Sequence, residues 1–231
     1  MPLLRQLTIN VRFLRHKKLV FQATTWAGYI GILTGLRQNG VAVAVNFRPS
    51  PPDSTLNLAP AFSMPIGLLV RVVMEQDLSY EDTLSMLAQE PIMAPCYLIL
   101  ASRNSGHILT RCEDVEERRL TLQPRAENPA TRLRNRTPRR GRNVASDGGD
   151  ILDILVQTNM DHWDNNAAND KMESLPRRRA VNRWFKKNHN CINLLSIWGL
   201  LKSRPIGDYD TIYSTVMVVA ENTLESHIHR K

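Results

Sequence analysis

Residues 41–45 read Val-Ala-Val-Ala-Val, so both alternating sets of side chains are apolar. Successive strand side chains point to opposite faces of a sheet. A strand of this kind must therefore be covered on both sides, which calls for a sheet sandwiched between layers. Its neighbours fit that setting. Residues 7–13 and 18–23 predict two short strands joined by a basic turn at 15–18. Residues 29–36 and 41–46 flank Asn39-Gly40, a dipeptide that favours positive φ and marks a hairpin.

The middle of the chain changes period. After a Pro/Ser/Asp loop over 48–60, residues 65–75 place Leu68, Leu69, Val72 and Val73 on one helical face. A second helix starts near Ser79, with Glu81 and Asp82 in its first turn, where the helix dipole favours acids. Strands are expected over 95–101 and 107–111, turned by Asn104-Ser105-Gly106. Beyond a break, 151–157 predicts a strand, 177–187 a basic helix and 192–201 an apolar helix ended by Ser203-Arg204-Pro205. The run 210–220 is rich in β-formers. The class is α+β with mostly antiparallel pairing.

Net charge is +8, from 30 Lys+Arg against 22 Asp+Glu. Residues 125–150 hold seven Arg against Glu127, Asp147 and Asp150, so half of that excess sits in about a ninth of the chain. A general nucleic-acid surface is thus poorly supported. With Pro, Gly, Asn and Ser and little periodicity, 127–150 reads as a basic disordered insertion. It would divide one domain into a first part, 1–126, and a remainder, 151–231.

The cysteines Cys96, Cys112 and Cys191 form no C-x-x-C pair, which excludes a zinc ribbon or a dithiol redox motif. Cys96 and Cys191 lie in apolar text and predict buried structural thiols. The opening MPLLRQLTINVRF lacks the features of a signal peptide. The most apolar stretch, 58–70, is interrupted by Pro60, Ser63 and Pro65 and is too short to span a bilayer.

No G-x-S-x-G elbow, P-loop, H-E-x-x-H or G-x-G-x-x-G is present. Gly28, Gly31 and Gly35 read as turns and close packing, and His227 and His229 as part of a solvated tail. The stretch with chemical content is 156–163, Val-Gln-Thr-Asn-Met-Asp-His-Trp. An Asn-Asp pair after a strand reads first as a turn cap. The same grouping at a strand end also suits a catalytic loop.

Several ordered segments carry a resemblance: LTINVRF…KLVFQATTWAGYIGILTGL, SYEDTLSMLAQEPIMAPCYLILA, VQTNMDHW and DTIYSTVMV. Together they resemble the large subunit of the acid ceramidase and N-acylethanolamine acid amidase family over nearly the whole chain except 127–150. The resemblance implies a four-layer αββα N-terminal-nucleophile hydrolase fold, incomplete at the N-terminus. It implies cleavage of a fatty-acyl amide, N-acylethanolamine or ceramide, in the lysosome and without a cofactor or metal. The partners it implies are an acyl-lipid substrate, contact with a membrane surface and the family's small subunit, which is absent from this chain. No nucleic-acid partner is expected.

Residue by residue, Asn159 matches the family's oxyanion-hole Asn. Arg177, with Arg178 as the second choice, matches an Arg of the D-D-R-R segment, here without its acids. Asn46 matches the first residue of an N-E-R segment whose acid is replaced by Phe47. Trp26, Tyr29, Phe62 and Met64 are candidates to line an acyl channel, with ordinary core packing the competing reading. The family's nucleophilic Cys would precede residue 1, so the 231-residue chain is expected to be inactive alone. A non-enzymatic acyl-lipid-binding or interaction homologue of the same fold is the alternative.

Overall fold

A computed structural model describes residues 2–38, 40–49, 63–113, 116–122, 154–189 and 191–229. The expected insertion over 127–150, Asn39, Phe62 and most of the 48–60 loop lie outside the described residues.

A short helix α1 (Pro2–Leu7) leads into β1 (Thr8–Arg15). There follow β2 (Lys18–Trp26), β3 (Thr34–Arg37), β4 (Val41–Phe47), β5 (Cys96–Ala101), β6 (Gly106–Arg111) and β7 (Glu116–Thr121). These seven strands form one sheet whose spatial order is their chain order, and every pairing is antiparallel. The β1–β2 turn is tight, with His16 and Lys17 at φ of 50° and 65°. That left-handed geometry matches the twist of the flanking strands. Gly40, at φ 92°, supplies the same freedom in the β3–β4 turn.

Helices α2 (Ile66–Glu75) and α3 (Tyr80–Gln89) lie between β4 and β5 in sequence. Their apolar faces carry Leu69, Val70, Val73, Leu84 and Leu87, which pack on Phe21, Ala23, Val43, Leu98 and Leu100 of the sheet. Fully burying one such side chain stabilises the fold by about 1.5–3 kcal/mol. Ser79 caps α3, its hydroxyl accepting from the Asp82 N–H at 3.0 Å.

The opposite face of the sheet is covered by a hairpin of β8 (Tyr213–Val218) and β9 (Thr223–Ile228). Alternation along β2 sorts the contacts: Phe21 and Ala23 meet the helices, whereas Gln22 and Thr24 turn to β9. Thr24 and Ser226 share a hydroxyl bond, and Tyr213 meets Thr34 at 3.1 Å. Helix α5 (Leu194–Lys202) lies against β8. The layers are therefore helices, large sheet, small sheet and helix, an α+β sandwich. Helix α4 (Ser174–Asn188) precedes α5. No helix among the described residues is long and apolar enough to cross a membrane.

Two buried arginines join the sheet to the first helical layer. Arg37, at the end of β3, is 4 % exposed and donates to the Gln76 carbonyl at 2.9 Å, to the Leu78 carbonyl and to Thr83 Oγ1 at 3.2 Å. Arg111, at the end of β6, is fully buried and donates to the carbonyls of Leu87 and Glu90. Each guanidinium thus satisfies carbonyls at a helix C-terminus, where the dipole favours a cation. Burial lowers the Arg37 pKa, with nearby Asp77 acting in the opposite sense.

Some expectations change. Residues 154–157 belong to no strand, and the Gln157 carbonyl accepts from the Asn46 side chain of β4. The 29–36 strand shortens to Thr34–Arg37, since Gly28 (φ 88°) starts a turn. Strand β7 was not anticipated, its Glu-Glu-Arg-Arg core being suited to an edge. Nor is the C-terminal stretch a solvated tail: His227 lies on β9, and His229 Nε2 meets Ser214 Oγ at 2.9 Å.

Candidate functional site

The site lies at the sheet end where β4 finishes and β5 begins. Three consecutive residues there bind alternate residues of the segment after 154. Asn46 Nδ2 donates to the Gln157 carbonyl at 3.2 Å. The Phe47 carbonyl accepts from Asn159 Nδ2 at 2.8 Å. Arg48 forks onto Asp161, with Nε–Oδ1 at 2.9 Å and Nη2–Oδ2 at 2.8 Å. Bidentate guanidinium–carboxylate pairing fixes orientation as well as distance.

The other side of Asn159 is held by α4. Asp170 accepts from the Ser174 and Leu175 N–H groups at 2.7 Å each, which satisfies two of the free donors at the start of that helix. Burial alone would raise the Asp170 pKa, but these backbone bonds lower it overall. Ser174 Oγ accepts from the Asn159 backbone N–H at 3.1 Å. One turn on, Arg177 Nη2 donates to Asn159 Oδ1 at 2.9 Å and to the Met172 carbonyl at 2.8 Å. Arg178 points elsewhere and donates to the carbonyls of Met160 (2.6 Å) and Asp161 (3.1 Å). Of the two arginines, only Arg177 touches the Asn159 side chain in these bonds.

The Asn159 amide is therefore tied at both ends, its oxygen by Arg177 and one N–H by Phe47. It lines a cavity of about 410 Å³ with Arg48, Tyr97, Asp161, Asp164 and Lys171 among its neighbours. Asp161 also accepts from Tyr97 OH at 2.7 Å, and Arg48 reaches Glu117 at 2.6 Å. Burial opposes the Arg48 charge, but Asp161 and Glu117 outweigh it and hold its pKa above the usual arginine value. Burial, and then the bond to Asp161, push the Tyr97 hydroxyl pKa up. Arg48, Tyr97, Asp161, Asp170 and Ser174 had no assigned role in the sequence. The signal available for Arg48 and Asp161 was their position inside the two quoted segments.

The proposed channel residues are placed elsewhere. Trp26 and Tyr29 pack edge to face with centroids 5.9 Å apart, and Trp26 also meets Tyr213. Met64 bridges to Ile92 and packs against the core. None of the three lines the Asn159 cavity.

The cysteines differ sharply. Cys96 is 2 % exposed, and burial pushes its thiol pKa up to about 12. Cys191 was expected to be buried but is exposed, because it precedes α5 on the outer side of the fold. Cys112 is half-buried, with its sulfur 3.3 Å from Arg48 Nη1. Alkylation of the folded chain near neutral pH, followed by mass spectrometry, should therefore label Cys191 first and Cys96 only on unfolding. Early labelling of Cys96 would contradict this placement. Among the described residues no cluster of three or more His, Cys, Asp and Glu side chains could hold a metal ion.

No family model matches the chain. Acid ceramidase of Mus musculus is 29% identical over 230 residues, covering 97% of this chain and 52% of that protein. The Homo sapiens acid ceramidase is 28% identical with the same coverage. The chain thus spans about half the length of the curated relatives it matches. The solved structure of the Caenorhabditis elegans N-acylethanolamine-hydrolyzing acid amidase ortholog superposes with a TM-score of 0.73 at 22% identity, covering 99% of this chain and 89% of that one. That likeness carries the fold, and the sequence relatives carry the resemblance: the chain is similar in sequence to acid ceramidases and in fold to an N-acylethanolamine-hydrolyzing acid amidase.

Proposed function

We propose that the cavity at Asn159 is the amide-binding part of a fatty-acylamide hydrolase site, with Asn159 as the donor that stabilises the tetrahedral oxyanion. The observation that supports this most is the double tether of the Asn159 amide. Arg177 at Oδ1 and the Phe47 carbonyl at Nδ2 set which way the amide faces. The second Nδ2 hydrogen then remains for an oxygen in the cavity. A donor held in place before reaction needs no reorganisation when charge develops, and this is where such groups act most strongly.

This reading calls for a Cys nucleophile of the family's N-terminal kind. Cys96 cannot serve, being buried and held in the thiol form. The cavity lining suits the polar amide end of a substrate: Asp164 and Lys171 offer charge and hydrogen bonds rather than an acyl channel. Ceramide and N-acylethanolamine both carry a hydroxylated polar head on that amide. The lysosome is the compartment this family reading implies.

The test is fatty-acid release from N-palmitoylethanolamine and from a ceramide by the natively expressed full-length protein, at acid and neutral pH. Release is the expected result, and the ratio of the two rates assigns the substrate. Saturable binding without release would sink the hydrolase reading in favour of a non-enzymatic acyl-lipid-binding homologue. Neither binding nor release would sink both.

A further inference from the structure

The bonds that hold Asn159 from the sheet side follow a pattern. Asn46, Phe47 and Arg48 engage Gln157, Asn159 and Asp161, residue by residue, across 111 to 113 positions of sequence. The first two contacts are single neutral hydrogen bonds of 3.2 and 2.8 Å. The third is a charged fork, and its carboxylate also receives Tyr97 OH from β5. Arg48 is itself 7 % exposed and anchored again on Glu117 of β7. Tyr97 of β5 and Arg48, which follows β4 and is itself held by Glu117 of β7, therefore converge on Asp161, two residues beyond Asn159.

We propose that Arg48 and Asp161 are a positioning pair for Asn159: their fork sets the register of residues 157–161 against β4, so that the Asn159 amide meets the Phe47 carbonyl and Arg177 rather than swinging free. Neither residue touches the reacting atoms in this scheme. The proposal rests on the hydrolase reading only for its kinetic consequence. The geometry needs a fork, and a lysine ammonium is a point donor that cannot span both carboxylate oxygens. Charge alone at position 48 is therefore insufficient.

Two measurements test it. In the full-length protein, Arg48→Lys and Asp161→Asn should each lower kcat by roughly 10- to 100-fold with KM within about twofold, the signature of a misplaced donor. In the 231-residue chain, hydrogen exchange by mass spectrometry should show lost protection across 157–162, with β2–β5 still protected. Wild-type kcat in both variants together with unchanged exchange would overturn the pair. So would loss of protection throughout the sheet in both variants, since the pair would then hold the fold and not the register. A full-length wild-type protein that releases no fatty acid would defeat the hydrolase reading instead, and the exchange result would still judge the pair.

Discussion

Replacing Arg37 with methionine is expected to destabilise the protein by about 3–5 kcal/mol, since three acceptors each lose a charge-assisted bond and an unsatisfied acceptor costs about 1–3 kcal/mol. The methionine would fill much of the volume but offers no donor. The carbonyls of Gln76 and Leu78 and the hydroxyl of Thr83 would lose their partner in a partly buried region. Arg37→Lys should recover only part of the loss, because one ammonium cannot reach carbonyls on both sides of the α2–α3 junction. At this chain length such a loss corresponds to a fall in Tm of roughly 10 °C. Denaturant titration of the purified variants checks it. The contrast is the Arg119–Glu116 pair on β7, which is partly exposed and worth less than about 1 kcal/mol. If Arg37→Met cost no more than removing that surface pair, the clamp would have no energetic standing.

The second large effect concerns chemistry. Asn159→Ala in the full-length protein is expected to lower kcat by about 10²- to 10³-fold, or about 2.7–4 kcal/mol of transition-state stabilisation. KM should change little, since the donor meets an oxygen that becomes charged only in the transition state. Asn159→Asp should be equally damaging for a different reason. Its carboxylate would still accept from Arg177, yet it would face the Phe47 carbonyl without a donor. Steady-state fatty-acid release from both variants is the measurement. A rate within tenfold of wild type for either variant would remove Asn159 from the oxyanion role.

Local signals in the sequence were reliable where one segment decides its own structure. The basic β1–β2 turn, Gly40 between β3 and β4, and the Ser79 cap with Glu81 and Asp82 behind it all act within a few residues. Val41 to Val43 of the doubly apolar run are buried, with helices on one face and the β8–β9 layer over the adjoining strand β3 on the other, while Ala44 and Val45 are half-buried. What local reading missed depends on distant partners. The clamps of Arg37 and Arg111 exist only because two helices end above those strand termini. Residues 154–157 have strand composition but lie in no strand, and the Gln157 carbonyl is held instead by the Asn46 side chain. Asn159 was legible through resemblance to a family motif. Arg48, Tyr97 and Asp161 were not, because their meeting spans 64 to 113 positions.

The plain succession of β1 to β7 also governs when each part of the molecule can form. A sheet whose every strand pairs with the one before it can grow hairpin by hairpin as the chain leaves the ribosome, with short loop closures except at the α2–α3 excursion. By residue 121 that scaffold is fully synthesised, whereas the side chains that close the cavity arrive only after 154. Assembly is thus ordered in time: a scaffold able to stand early, and a reaction chamber completed only by the last third of the chain.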